Sequence, residues 1–178
     1  LVTLFAPDFF GNPTTGNYWG FWNYHETIIY VGVASLIALL WAAFSLKNLN
    51  KNEKFFLVAA FISLLMCLDT PLGKLIYVLK TPGLSTSAAG RIIAIFSFST
   101  SILLAAFIEK IKKYSFKLIL VKLLPLVVSV FILIAIALLL KSTNLLDEIA
   151  FLLPMKENIT IILRNLILPT LLIFSLIA

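Results

Sequence analysis

Three long stretches of this chain carry no charge, and they constrain its fold more than any motif does. Residues 92–108, 123–140 and 27–46 run uncharged for 17, 18 and 20 positions. A bilayer core of about 30 Å needs roughly 20 apolar residues in a helix rising about 1.5 Å per residue. A buried helix of a soluble protein can be this apolar, but several in one short chain cannot all find a core. Composition agrees, with 61% hydrophobic and 12% charged residues, against about 45–50% and about 25% in soluble domains. The expected class is therefore all-α: a polytopic integral membrane protein of about five transmembrane helices, near residues 27–46, 55–70, 91–109, 118–140 and 159–178.

Residues 1–26 do not read as a span. They hold two Pro, three Gly and three Asn, residue types that make turns, together with Phe5, Phe9, Phe10, Tyr18, Trp19, Phe21, Trp22 and Tyr24. The reading is an aromatic, Gly/Asn/Pro-rich outer loop at the N-terminus, followed by a transmembrane region over 27–178. Between the second and third spans, Pro71 can open a helical turn. Residues 75–79 are too short to cross and suit an interfacial helix, and 81–90 form a Pro, Gly and Ser loop. Pro125 and Pro169 fall inside spans, where membrane helices tolerate proline if neighbours satisfy the freed carbonyls. Both ends read as truncated: the chain opens in a polar loop and stops inside an apolar run.

The formal net charge is +6. The lysines sit in short clusters between apolar blocks, as topology signals do, and no basic patch with interleaved aromatics points to nucleic acid. Lys47, Lys51 and Lys54 oppose only Glu53. Lys110, Lys112, Lys113 and Lys117 oppose only Glu109, and Lys122 follows. Two spans separate these turns, so they lie on one side, which the positive-inside bias makes cytoplasmic. The first loop, the 69–90 loop and the 141–158 loop then face outward from a plasma membrane.

Candidate chemistry gathers on that outer side. Asp8 is a turn-forming carboxylate, or a base or metal ligand at the mouth of a site. Glu26 favours a helix N-terminus through the macrodipole, or lines a polar cleft with His25. Asp69 and Arg91 are charges beside spans, where charge is costly and tends to pair or to mark function. Arg91 offers a planar fork for phosphate, or it is an interfacial anchor. Arg164 carries the same two readings. Ser97, Ser99, Thr100 and Ser101 suit helix packing. Asn158-Ile159-Thr160 has glycosylation-acceptor spacing and nothing further to support it. Cys67 is alone, so the chain has no disulfide framework within itself. No phosphate-binding loop is present and no cofactor is evident. Nothing in the spacing indicates a divalent metal, although Asp8 has the chemistry of a ligand.

The stretch PDFFGNPTTGNYWGFWNYHETIIYVG, residues 7–32, resembles the hallmark region of the YfhO-like family of bacterial membrane proteins. It carries Pro-Asp-Phe-Phe-Gly-Asn-Pro at 7–13, Gly-Asn-Tyr-Trp-Gly at 16–20, Asn-Tyr-x-Glu at 23–26 and Tyr-x-Gly at 30–32. The later DTPLGKLIYVL and PGLSTSAAGR are similar to the family's next loop and its Arg-led helix, so the resemblance covers residues 1 to about 113. It implies a GT-C class glycosyltransferase, which takes a sugar from a polyprenyl-phosphate carrier within the membrane lipid and passes it to a cell-surface glycopolymer on the outer face. In that class the catalytic acidic residue usually lies in the first outer loop, upstream of the stretch present here. Within this chain the residue types themselves give Asp8, Glu26 and His25 as catalytic candidates, and Arg91, Trp19, Trp22 and Asp69 as substrate-binding candidates.

Two other functions fit the same composition. A lipid or sugar transporter, or flippase, needs polar groups near span centres and broken helices around a central site. The Ser97–Ser101 cluster is the feature of that kind, and no charge lies at a span centre. A non-catalytic assembly subunit would not need a loop so dense in Gly, Asn and Trp.

Overall fold

The computed structural model describes residues 1–20, 24–83, 85, 89–142 and 153–175, and its described residues are helical, with no strand among them. The helices are α1 (Tyr24–Thr27), α2 (Val33–Ala43), α3 (Lys51–Cys67), α4 (Pro71–Val78), α5 (Ile93–Ile111), α6 (Phe116–Ser142), α7 (Leu153–Asn165) and α8 (Ile167–Ser175), with short 3-10 turns at Val2–Leu4, Pro13–Thr15, Leu46–Asn48 and Ala89–Ile92. Two compact units result. One comprises Leu1–Val33 with Leu123–Ala178, the other Ala34–Lys122.

Helices α5 and α6 follow the uncharged blocks. Gly90–Ile111 and Val121–Ser142 are long and apolar enough to cross a membrane, with mean hydropathies of 2.1 and 3.1. A core helix of a soluble protein can be as long and as apolar, but it is mostly buried. Here 39% and 22% of the two windows are buried. Large apolar side chains such as Phe98, Ile108, Val121, Leu124, Phe131 and Leu139 point outward instead. So much exposed apolar surface suits lipid and would be a liability in water.

Three expected spans take different bounds. The first contains only the 11-residue α2, about 16 Å at helical rise. Gly32 explains the late start, because its φ of +85° lies in the left-handed region. Upstream, the Ile29 N–H donates to Thr3 Oγ1 at 3.4 Å, outside any helical ladder. Helix α3, where the second span was expected, begins earlier than the apolar run, at Lys51. Asn50 and Glu53 form a capping box there: the Glu53 N–H donates to Asn50 Oδ1 and the Asn50 N–H to Glu53 Oε2, each at 2.9 Å. That satisfies two amides a helix start leaves orphaned. The fifth is divided. Helix α7 ends at Asn165 and α8 begins at Ile167, because Pro169 cannot donate to the carbonyl of residue 165. The short helix foreseen after Pro71 is α4, capped by Thr70, whose Oγ1 accepts from the Gly73 N–H at 3.1 Å.

In the second unit α3 packs on α5. The buried face of α3 includes Leu57, Ala60 and Ser63; that of α5 is Phe96, Ser99, Thr100, Leu103 and Phe107, a spacing of three and four. Small residues at this seam let the backbones approach, which drives helix association where lipid is as apolar as leucine. Thr100 Oγ1 donates to the Ser97 carbonyl at 3.0 Å, and Ser63 Oγ to that of Ala59 at 2.7 Å, so these hydroxyls stay satisfied inside the seam. At the end of α3 and α5 near the basic turns, Lys110 Nζ donates to the Glu53 carboxylate and, at 3.3 Å, to the Asn48 carbonyl. The two lysine-bearing turns therefore meet at one end of this unit. The Trp41 ring packs beside them, 5.5 Å from Phe107 and 5.8 Å from Tyr114 between centroids.

In the first unit the core is Ala6, Ala137, Ile159, Ile162 and Leu166, with Phe5, Phe9, Leu133 and Leu163 packed against it. The N-terminal loop thus lies against α6 and α7.

Candidate functional site

The first 20 residues are built from turns that aim their polar side chains at one place. Asn12 caps the 3-10 turn Pro13–Thr15, its Oδ1 accepting from the Thr14 N–H at 3.0 Å. Gly16 leaves that turn in the left-handed region. Asn17 closes the loop, its Oδ1 accepting from the Asn12 N–H at 3.0 Å and from Thr15 Oγ1. Gly11 is required by geometry. Its φ is +80°, and a Cβ there would fall 2.1 Å from the Asn17 carbonyl oxygen.

Asp8 is the centre of this arrangement. Its Oδ1 accepts from the Tyr24 hydroxyl at 2.9 Å and from Asn12 Nδ2 at 3.3 Å, and its Oδ2 accepts from Asn165 Nδ2 at 3.3 Å. The Tyr24 hydroxyl in turn accepts from Asn12 Nδ2 at 3.0 Å. Partial burial, the hydrogen bond to Asp8, the Asp8 charge and then Tyr18 push the Tyr24 phenol up to about 12. It therefore remains a neutral donor at any ordinary pH. A second amide pair lies two helical turns away on α7. Asn17 Nδ2 donates to Asn158 Oδ1, and Asn158 Nδ2 returns a bond to the Asn17 carbonyl at 3.3 Å. Asn158 has no exposed surface, so it is not presented as a glycosylation acceptor would be.

Aromatic rings flank the polar cluster. Phe9, Phe10 and Trp19 form a triangle with centroids 5.0 to 6.0 Å apart, and the Trp19 N–H of the backbone donates to the Phe10 carbonyl at 2.9 Å. Tyr18 meets Tyr24 edge-on at 5.6 Å, and Tyr24 meets His25 at 5.5 Å. The whole is a carboxylate, a phenol and four amides beside a wall of rings. Such a set can orient hydroxyl-rich ligands, since amides both donate and accept.

The expected site residues divide as follows. Asp8 and Trp19 are half-buried in this cluster, and His25 is exposed at its edge. Glu26 lies on α1, but its side chain, and the whole of Trp22, fall outside the described residues. Asp69 and Arg91 belong to the second unit. Asp69 is exposed and pairs with Lys74 at 3.2 Å, the N-terminal region of α4 answering its charge. Arg91 is exposed on the 3-10 turn before α5, and Arg164 is exposed on α7. Tyr24, Asn12, Asn17, Asn158 and Asn165 were not anticipated as site residues. Their signal was present: Asn158 and Asn165 stand seven apart, which places them on one helical face. Among the described residues, no group of three or more His, Cys, Asp or Glu side chains could hold a metal ion. Compared with protein-family models, with curated proteins and with solved structures, the chain finds no match in any of the three.

Proposed function

We propose that this chain acts in a multi-pass bacterial membrane glycosyltransferase, which moves a sugar from a polyprenyl-phosphate carrier to a cell-surface polymer on the outer face. The observation that carries the reading is the Asp8 cluster. A carboxylate held by Tyr24, Asn12 and Asn165, beside the rings of Phe9, Phe10 and Trp19, combines a proton acceptor with sugar-binding amides and a stacking wall. A lipid-borne donor needs no nucleotide site, only a membrane and a cation for its phosphate. The resemblance of residues 1–113 to the YfhO-like family supports the same reaction, and Arg91, by the planar fork of its guanidinium, is the candidate for the donor phosphate.

The test is transfer of a labelled sugar from a polyprenyl-phosphate donor in membranes containing the full-length protein. Asp8→Asn keeps the side-chain volume and removes the base, and transfer should fall at least about 100-fold, the usual weight of general base catalysis. Insertion and helix content should stay unchanged. Transfer at the parent rate would make Asp8 only an anchor of the loop on α7. Movement of the sugar-lipid across the bilayer without transfer would favour the flippase. One observation leans that way: the Ser99 hydroxyl, buried in the α3–α5 seam, has no hydrogen-bond partner among the described residues.

A further inference from the structure

Residues 43–48 and Lys122 line an open cleft of about 360 Å³. It lies wholly within the second unit, at the end where the basic turns meet. The Lys122 ammonium is fixed there. It donates to Ser45 Oγ at 2.5 Å and lies 5.8 Å from the centroid of the Tyr114 ring. Ser45 is itself buried and keeps its O–H to donate. Lys47 and Asn48 enter from the 3-10 turn Leu46–Asn48, and among the described residues neither side chain has a hydrogen-bond partner. No carboxylate lines the cleft, and Glu53, on the neighbouring first turn of α3, is taken by Lys110. Among the described residues, two cations, a hydroxyl and an amide thus converge on a space that no carboxylate lines.

The rim has the opposite character. Phe44 and Leu46 are each 54% exposed. A free inorganic anion gains nothing from such a rim, whereas an amphiphile satisfies both halves of the site. We propose that the cleft seats the headgroup phosphate of an anionic phospholipid, with Lys47 and Lys122 as its cations and Phe44 and Leu46 against its acyl chains. The inference goes beyond sugar transfer and rests only on the membrane part of that reading. Lysines near a bilayer surface attract anionic lipid by an amount that corresponds to about a fivefold gain in affinity each.

The experiment uses the full chain purified in an uncharged detergent, with equilibrium binding of radiolabelled phosphatidylglycerol, phosphatidylcholine and inorganic phosphate. Phosphatidylglycerol should bind saturably and at least about tenfold tighter than phosphatidylcholine. Lys47→Gln should weaken it about fivefold, and Lys47→Gln with Lys122→Gln about thirtyfold. Lys112→Gln with Lys113→Gln removes the same charge from an exposed part of the same unit and should change binding less than about twofold. Because Lys122 also holds Ser45, its variant can disturb the turn; Lys47→Gln, which breaks no described contact, then carries the test alone. Equal binding of the two lipids, unchanged binding by Lys47→Gln, or an equal loss in the Lys112/Lys113 control overturns the proposal. Inorganic phosphate binding as tightly as the lipid assigns a free-anion site and overturns the lipid. Sugar transfer measured on the same preparation separates failure here from failure of the transfer reading.

Discussion

At Asp8 and Tyr24 a hydrogen bond of 2.9 Å couples a carboxylate to a phenol, and the coupling can be titrated. The Tyr24 phenol is pushed up to about 12 from its ordinary 10.0. A group whose folded pKa lies above its unfolded value stabilises the fold below the unfolded pKa and loses that contribution as pH rises through the folded one. The neutral phenol therefore supports the loop below about pH 10 and ceases to between about pH 10 and 12. Ultraviolet titration of tyrosinate should show one phenol ionising late, and Asp8→Asn should bring that phenol back toward 10 without reaching it, since burial remains as the largest cause. Gly11 gives a second prediction at this scale. Gly11→Ala places a methyl on the Asn17 carbonyl in a left-handed backbone, and should cost about 1–3 kcal/mol of stability, read as a lowered melting temperature in detergent. Arg91→Ala should reduce sugar transfer and leave insertion intact, with Arg91→Lys restoring only part because the planar fork is lost. The residue types at Asp8, His25 and Trp19 were legible as chemistry before any fold. What they touch was not, because Asn165 stands 157 positions from Asp8, and no local pattern encodes so distant a partner.

Between elements, the Glu53–Lys110 pair joins α3 to α5 where both ends are charged. Both side chains are largely withdrawn from solvent, and Glu53 also serves the capping box at the start of α3. Removing one partner strands the other, a cost of about 3–5 kcal/mol for a buried pair. Lys110→Met should therefore lower the unfolding midpoint sharply, and adding Glu53→Gln should recover part of the loss, since no uncompensated charge remains. Recovery of nothing would mean that Lys110 acts through the Trp41 ring, whose centroid lies 5.9 Å from its ammonium, and the Asn48 carbonyl rather than through Glu53. Elements differ in how readily they are read from sequence. Helices α5 and α6 announce themselves as uncharged runs, and α4 through Thr70 and Pro71. Helix α2 does not: the uncharged run begins at residue 27, but Gly32 interrupts the backbone where composition alone shows no break. Helix α7 opens in LPMKEN, a polar stretch that reads as loop until its apolar face meets Ala6 and Ala137.

For the whole molecule, the asymmetry of its lysines makes a claim about orientation that labelling can check. In a Cys67→Ala background, cysteines introduced at Lys51 and Lys112 should react with an impermeant maleimide only after the cells are opened, and one at Thr14 should react from outside. Labelling of positions 14 and 51 from the same side refutes the arrangement. The outward apolar faces of α5 and α6 were foreseeable from hydropathy, whereas the docking of the first 20 residues was not, because it is completed by amides of a distant helix. That dependence reaches into how the chain is made. Asn17 waits for Asn158, 141 positions later, and Asp8 waits for Asn165. At a synthesis rate of about 5–20 residues per second, the N-terminal loop emerges roughly 8–30 s before the amides that complete it exist. During that interval Asp8 and Asn17 keep only their local partners, Tyr24, Asn12 and Thr15, with solvent in place of the α7 amides. The site is thus completed only once α7 has been made, and a nascent chain arrested before α7 would carry the loop and its internal hydrogen bonds but none of the contacts that Asn158 and Asn165 supply.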